Sequence, residues 1–379
     1  MKKKIIILSS SGGAGHIAAT QALKDYLADS YDIASIDFMH VLYDIDVVKK
    51  ITRGSFEAEQ VFYNYCLKRR WFSVLNIVYQ LGTWYFALRR KKITTIFKRY
   101  ITDSKVDLVI SVVPIINGAL ADAAQACNIP LIVVPTDLDA TSFINGMKKI
   151  NYDKLKMTTA LDDESIKTTI AASGLTSYQI ITTGFPLRKK FFEPLDKYEL
   201  KKQHQVPANK PVIFLMMGGQ GSSSIISFFE QLIMVPVAFH IIICIGKYDA
   251  LRKKIETFQV PEHITYTIVG FTHNIAEYMA MADFAISKSG SVSVAELIYM
   301  NLPMLFDATG TLLRWERFNH TFVKKHGFGA SITHMNDINV LVTQWLQNEE
   351  LRLTMRSRLE SFNKVNPTTA FPEFIRQML

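Results

Sequence analysis

Apolar residues fall along the chain in two patterns. Short continuous runs of strand length, such as Ile5-Ile6-Ile7-Leu8, are bounded by polar and turn-forming residues. Between them apolar positions recur at helical spacing, as in Ala19, Ala22, Leu23, Tyr26 and Leu27. The runs predict strands at Lys4–Leu8, Tyr31–Ile36, Val106–Val113, Pro130–Pro135 and Tyr178–Thr183 in the first half. In the second half they predict strands at Pro211–Met217, Phe239–Ile245, Ile264–Val269, Phe284–Ser287 and Leu302–Phe306. Continuous apolar strands alternating with helices imply an α/β fold whose parallel sheets are covered on both faces. The Lys- and Pro-bearing stretch from Leu187 to Pro211 separates the two series and reads as a linker. Two doubly wound, Rossmann-like domains follow, 1–190 and 191–359, with a final helix in 360–379 packing back on the first. Ligands of such sheets bind outside the carboxyl ends of the strands, so the cleft between the domains is the expected site.

The 379 residues are 49% hydrophobic and 20% charged, which supplies ample core and excludes long-range disorder. Cys66, Cys127 and Cys244 lie far apart without a CxxC, against a disulfide framework or a cysteine-rich metal site and in keeping with a reducing compartment. The opening Met1-Lys2-Lys3-Lys4 and its apolar run are too short for a signal peptide, and no apolar stretch approaches the ~20 residues that span a bilayer. A cytoplasmic protein is expected, soluble or peripherally attached to a membrane.

Charge adds a location. Between Ile45 and Lys105, 13 Lys and Arg face four acids (Asp46, Glu57, Glu59 and Asp103), so this segment holds the chain's whole excess of +9. It is also aromatic-rich. The clusters Lys68-Arg69-Arg70 and Arg89-Arg90-Lys91-Lys92 bracket an apolar stretch with Trp71, Phe72, Leu75, Ile77, Val78, Leu81, Trp84, Tyr85 and Phe86. Basic clusters beside such a helix suit an anionic membrane surface. An ordinary core helix with a solvated basic end reads from the same residues. Nucleic acid is not an expected partner, because no recognised nucleic-acid motif accompanies the charge.

Three loops carry candidate chemistry. The first strand runs into Ser9-Ser10-Ser11-Gly12-Gly13-Ala14-Gly15-His16 and then a helix. Glycines there let a substrate approach the backbone at a positive helix N-terminus. His16 has the ordinary pKa of a general base near neutrality, about 6.5, or it simply caps the helix. Gly13–Ala18 also fits the dinucleotide fingerprint, with Asp37 as its ribose acid, which keeps an NAD-type oxidoreductase open. The second loop is Gly218-Gly219-Gln220-Gly221-Ser222, and the third Lys288-Ser289-Gly290-Ser291. No GK[ST] occurs, so neither is a Walker A loop, but small residues opening a helix can receive a diphosphate on amide N–H groups. Glu296, one to two turns into the third loop's helix, is either a ribose-binding carboxylate or a solvated helix residue.

In this order the segments resemble family 28 glycosyltransferases. Phe284–Phe306 (FAISKSGSVSVAELIYMNLPMLF) resembles the family's nucleotide-binding segment. Gly12–His16 resembles its acceptor-side turn, Asp107–Pro114 its DLVIS strand, and Pro135-Thr136-Asp137 its PTD turn. Thr183–Arg188 matches TGxPxR, Met217–Gly221 the MGGG loop and Gly270-Phe271 the GF before the base-binding loop. Within the family the chain resembles monogalactosyldiacylglycerol synthase and the processive diacylglycerol glucosyltransferases. The resemblance implies two Rossmann-like domains of the GT-B type and a UDP-sugar donor, which is a substrate, with no cofactor or metal. It implies an inverting transfer of a hexose to a lipid hydroxyl, first of all diacylglycerol. His16 would be the base and Asp137 would position the acceptor or polarise His16. Phe271 would lie against uracil; Gly219, Gly221, Ser222, Ser289, Gly290 and Ser291 would surround the diphosphate; Glu296 would hold the ribose. Glu316 and Asn319 keep the spacing of the donor-sugar segment, with Arg314 and Trp315 in place of Gly and Gln. A transferase of N-acetylglucosamine to a polyprenyl-linked lipid, and a non-catalytic nucleotide- or lipid-binding protein, are the alternatives.

Overall fold

The apolar runs become strands of two parallel sheets. The structure, a computed structural model, describes residues 2–10, 14–42, 65–66, 71–148, 150–219 and 221–379. It divides into two units, residues 1–189 with 363–379, and 190–362.

The first unit holds β1 (Lys4–Ser9), β2 (Asp32–Asp37), β3 (Leu108–Ser111), β4 (Leu131–Val133), β5 (Leu155–Thr159) and β6 (Ile180–Thr182) in the order β2-β1-β3-β4-β5-β6. All its pairs are parallel, and β1, β3 and β4 are almost wholly buried. Its helices used below are α1 (Ala14–Leu27), α2 (Phe72–Leu88), α3 (Arg90–Ser104) and α4 (Asn117–Cys127). The second unit holds β7 (Val212–Met216), β8 (Phe239–Gly246), β9 (Ile264–Gly270), β10 (Phe284–Ser287), β11 (Met304–Asp307) and β12 (Gly329–Ile332) in the order β12-β11-β10-β7-β8-β9, again parallel. With it go α5 (Lys197–Gln203), α6 (Ser291–Tyr299) and α7 (Arg314–His326). The last helix, α8 (Pro367–Met378), returns to the first unit, where Phe371, Phe374 and Ile375 join the core of β1, β3 and α1.

Three features depart from the sequence reading. β5 was not expected because Lys156 and two threonines interrupt its apolar run; Thr158 and Thr159 are nonetheless buried, and Thr159 Oγ1 donates to Thr182 Oγ1 at 2.9 Å. β12 is an edge strand of Gly-Ala-Ser-Ile with no apolar run at all, and a Cβ at Gly329 would collide with the Met304 carbonyl. The stretch 187–211 is more than a linker. Asp196 caps α5 through the amides of Tyr198 and Glu199, and Lys197 Nζ donates to Asp283 at 2.6 Å. Asp283 also accepts from the Val212 amide at 2.7 Å; these contacts outweigh burial and hold its carboxyl below the usual range.

Strand order fixes where ligands can enter. In each sheet the order reverses once, between β1 and β3 in the first and between β7 and β10 in the second. At such a switch point the following loops diverge and leave a crevice at the carboxyl ends of the strands. All three candidate loops leave strands that border a switch point.

Candidate active-site residues at the switch points

His16 lies in the first turn of α1, just past β1, partly buried. Its Nδ1 is 2.9 Å from the Val112 carbonyl, just beyond β3, and 2.9 Å from Thr136 Oγ1. A carbonyl only accepts, so Nδ1 carries the hydrogen and the lone pair of the neutral ring is on Nε2. Burial lowers the His16 pKa from 6.5, partly offset by the Val112 carbonyl and the Asp37 charge. The helix N-terminus also disfavours a positive ring. The imidazole is thus neutral at pH 7, oriented, and basic at Nε2.

The loops around it are themselves braced. Asn117, fully buried, donates to the carbonyls of Val113 and Phe143 at 2.9 Å each and accepts from Ser111 Oγ at 2.7 Å. Ile115 takes φ +77°, a costly conformation for a β-branched residue, and its N–H donates to the Ser142 carbonyl at 3.2 Å. Asp137 sits next to Thr136 in sequence, but the Nδ1 side of His16 is occupied by Thr136 and Val112. Asp37 caps the turn Phe38–Val41, accepting from the Met39 amide at 2.9 Å. Gly12 and Gly13 lie outside the described residues.

At the second switch point Gly218 (φ +84°) and Gly221 (φ +74°) shape the turn after β7, closed by the Gly221 amide donating to the Gly218 carbonyl at 2.9 Å. Only glycine tolerates those angles without strain. The Lys247 amide donates to the Gly219 carbonyl at 3.2 Å, and Ser222 Oγ lies 2.9 Å from Ser224 Oγ. After β10, Gly290 is the N-cap of α6 and brings no side chain to its first amides. Asn319, fully buried on α7, donates from Nδ2 to the Ser289 carbonyl at 2.7 Å and to Ser291 Oγ at 3.2 Å. Among the described residues, Asn319 Oδ1 and Ser289 Oγ are buried without a hydrogen-bond partner. A native fold rarely leaves such atoms unmatched unless something else satisfies them. One turn earlier on α7, buried Glu316 places Oε1 3.9 Å from Lys288 Nζ. The Lys288 stem crosses two glycines: a Cβ at Gly218 would lie 2.9 Å from its Cε, and one at Gly290 3.3 Å.

Glu296 is buried on α6, and its charge, after burial, helps push the Cys244 thiol at the end of β8 up to about 11. A solvated helix glutamate is therefore excluded. Phe271, 51% exposed, follows β9, with Lys247 Nζ 4.8 Å above its ring and His273 edge-on at 5.2 Å. The structure thus brings Gly218, Gly290 and Glu316 against Lys288, which sequence reasoning had given no role, and Asn319 against Ser289 and Ser291. Lys288 was readable only as part of the loop. Val112 acts through a backbone carbonyl, which no residue type announces.

Residues 212–306 match the glycosyltransferase family 28 C-terminal domain. The chain is similar to the processive diacylglycerol beta-glucosyltransferase of Staphylococcus epidermidis, 26% identical over 368 residues, covering 94% of this chain and 88% of that protein. It is also similar to the enzyme of the same name from Staphylococcus haemolyticus, 24% identical, covering 97% and 90%. Among solved structures, MurG of Acinetobacter baumannii superposes with a TM-score of 0.68 at 15% identity, covering 99% of each chain. The S. aureus MnaA–UDP structure superposes with a TM-score of 0.59 at 11% identity, covering 100% of this chain and 98% of that one. The architecture is that of the GT-B fold. Both loops of the second switch point lie within the part that matches the family 28 C-terminal domain, in a chain similar to sugar transferases along nearly its whole length, and this protein is a glycosyltransferase.

Proposed function

We propose that the enzyme transfers a hexose from a UDP-sugar to a lipid hydroxyl, diacylglycerol first among acceptors, with inversion at the anomeric carbon. The observation that carries the chemistry is His16, whose Nδ1–H is tied to the Val112 carbonyl so that the lone pair that takes a proton is on Nε2. The acceptor oxygen attacks the anomeric carbon from the face opposite UDP, its proton passes to Nε2, and the sugar–phosphate bond breaks. Charge then grows on the departing diphosphate. Amides at the α6 N-terminus, Ser289, Ser291 and Lys288 supply fixed donors for it, an electrostatic stabilisation that needs no reorganisation. Phe271 flanks the uracil and Glu296 accepts the ribose hydroxyls. Asn319 holds the diphosphate loop, and Glu316 contacts the sugar. Asp137 lies on the acceptor side.

The lipid part of the reading rests on α2 and on the names of the similar enzymes. Along this 17-residue helix Ile77, Leu81, Trp84 and Leu88 are 57–64% exposed, and Trp71 at its start is 49% exposed. No described helix is long and apolar enough to cross a membrane. An exposed apolar helix followed by basic residues suits the plane of an anionic leaflet. Burying those side chains contributes on the order of 1 kcal/mol each, as does each basic neighbour. Lys68, Arg69 and Arg70 lie outside the described residues. The enzyme would then work on the cytoplasmic face of a membrane, peripherally attached.

The test is UDP release from UDP-glucose, UDP-galactose and UDP-N-acetylglucosamine over diacylglycerol vesicles, with His16→Ala alongside. Release with one hexose donor, dependent on diacylglycerol and lost in the variant, supports the reading. Release only with UDP-N-acetylglucosamine and a polyprenyl-linked acceptor would move it to the second reading. UDP binding without any turnover would leave a nucleotide-binding protein.

A further inference from the structure

The basic run at the end of α2 divides when its contacts are followed. Arg89, Lys91 and Lys92 are exposed. All three nitrogens of the Arg90 guanidinium are engaged. Nε and Nη2 donate to the two Asp122 oxygens at 2.7 and 2.9 Å, Nη1 to the Gly146 carbonyl at 2.6 Å, and Nη2 to the Gly118 carbonyl at 3.3 Å. Such a fork fixes geometry as well as charge. Gly118 and Asp122 lie on α4, whereas Gly146 lies in the loop that follows Thr136. Loop and helix touch so closely that a Cβ at Gly118 would collide with the Gly146 carbonyl. The same loop is anchored at Phe143 by Asn117 and at Ser142 by the strained Ile115. Its entry residue is Thr136, which holds His16.

We propose that Arg90 is a positioning residue for the acceptor side: it clamps the loop 137–147 onto α4, so that Thr136 and Val112 keep the His16 ring in place, and it takes no part in membrane contact. The inference rests on the proposed role of His16. It separates one arginine from neighbours that it resembles in sequence.

The experiment compares Arg90→Lys and Arg90→Gln with the triple variant Arg89→Gln/Lys91→Gln/Lys92→Gln. Read-outs are binding to anionic vesicles, kcat and donor KM on vesicle-borne diacylglycerol, and amide hydrogen exchange. Both Arg90 variants should keep vesicle affinity within about twofold and leave donor KM unchanged, since the donor site lies on the other sheet. Their kcat should fall at least tenfold, about 1.4 kcal/mol. The fall should be smaller for Lys, which retains one charged contact with Asp122. The Phe143 and Met147 amides, bonded within the loop, should exchange faster. The triple variant should show the reverse: weaker vesicle binding, with unchanged kcat at saturating vesicles. Arg90 variants that lost vesicle binding but kept kcat, or that left both kcat and exchange unchanged, would overturn the proposal. If the parent shows no His16-dependent turnover, the transferase reading fails, while exchange still decides whether Arg90 holds the loop. Should Arg90→Gln not fold, Asp122→Asn opens the clamp from its other side and is judged by the same criteria.

Discussion

Replacing Asn319 tests the second switch point most sharply. Its amide holds two groups of the proposed diphosphate loop, the Ser289 carbonyl and the Ser291 hydroxyl, in a fully buried position. Each such hydrogen bond contributes about 1 kcal/mol net, and each buried partner left unmatched costs about 1–3 kcal/mol. Asn319→Ala should therefore destabilise the second unit by about 2–4 kcal/mol. It should also weaken UDP binding by at least tenfold, about 1.4 kcal/mol, because the loop amides lose their fixed aim. Asn319→Asp is the more telling variant. It keeps the shape, removes the Nδ2 donor and adds a carboxylate beside a site for a diphosphate. It should bind UDP more weakly than the alanine variant despite being the closer isostere. The assays are calorimetric titration with UDP and a denaturant midpoint for each variant. An aspartate variant that bound UDP like the parent, with an unchanged midpoint, would refute both the diphosphate assignment and the role of Asn319.

The remaining predictions concern protons and surfaces. Because burial lowers the His16 pKa, the acid limb of kcat/KM should fall at a pH below 6.5; a limb above 6.5 would contradict a buried, neutral base. His240, enclosed on β8 and hydrogen-bonded to Thr265 and Thr267, has its pKa pushed down to about 4 by burial and by Lys210 and Lys201. The unfolded chain binds its proton at 6.5 and the folded one only near 4, so stability is lost as pH falls across that window, by about 3 kcal/mol in total. His240→Gln should flatten this part of the stability profile, and an unaltered slope would remove His240 as its source. On α2, Leu81→Ser with Trp84→Ser should lower partition onto anionic vesicles roughly tenfold or more while leaving UDP binding intact. Partition that ignored both changes would remove the helix from the membrane reading.

Ten of the twelve strands were legible because parallel strands packed into a core favour unbroken apolar runs. β5 and β12 were not, since one mixes lysine and threonine into a buried position and the other owes its place to smallness beside Met304. In the site, the loops were visible as clusters of small residues around His16, Gly218 and Ser289. Their supports were less so. The partners of His16 are a carbonyl and a threonine from two other strand ends, reached 96 and 120 residues away. Lys288 gains meaning only from the two glycines its stem crosses. Arg90 could not be told from Arg89 or Lys91 until its four contacts were known.

On the proposed reading of a membrane-held enzyme with a lipid acceptor, the exposed apolar side chains of α2 change what concentration means. A catalyst held by such a helix samples its acceptor in two dimensions, so the governing variable is the mole fraction of acceptor lipid in the surface. Diluting vesicles with buffer at saturating surface area should leave the rate untouched. Diluting the acceptor with inert lipid inside the same vesicles should lower it. A glycolipid product would stay in the same plane as the enzyme, compete for the acceptor site and thin the remaining substrate as the reaction proceeds. Progress curves would then bend for reasons of surface composition well before the donor runs low.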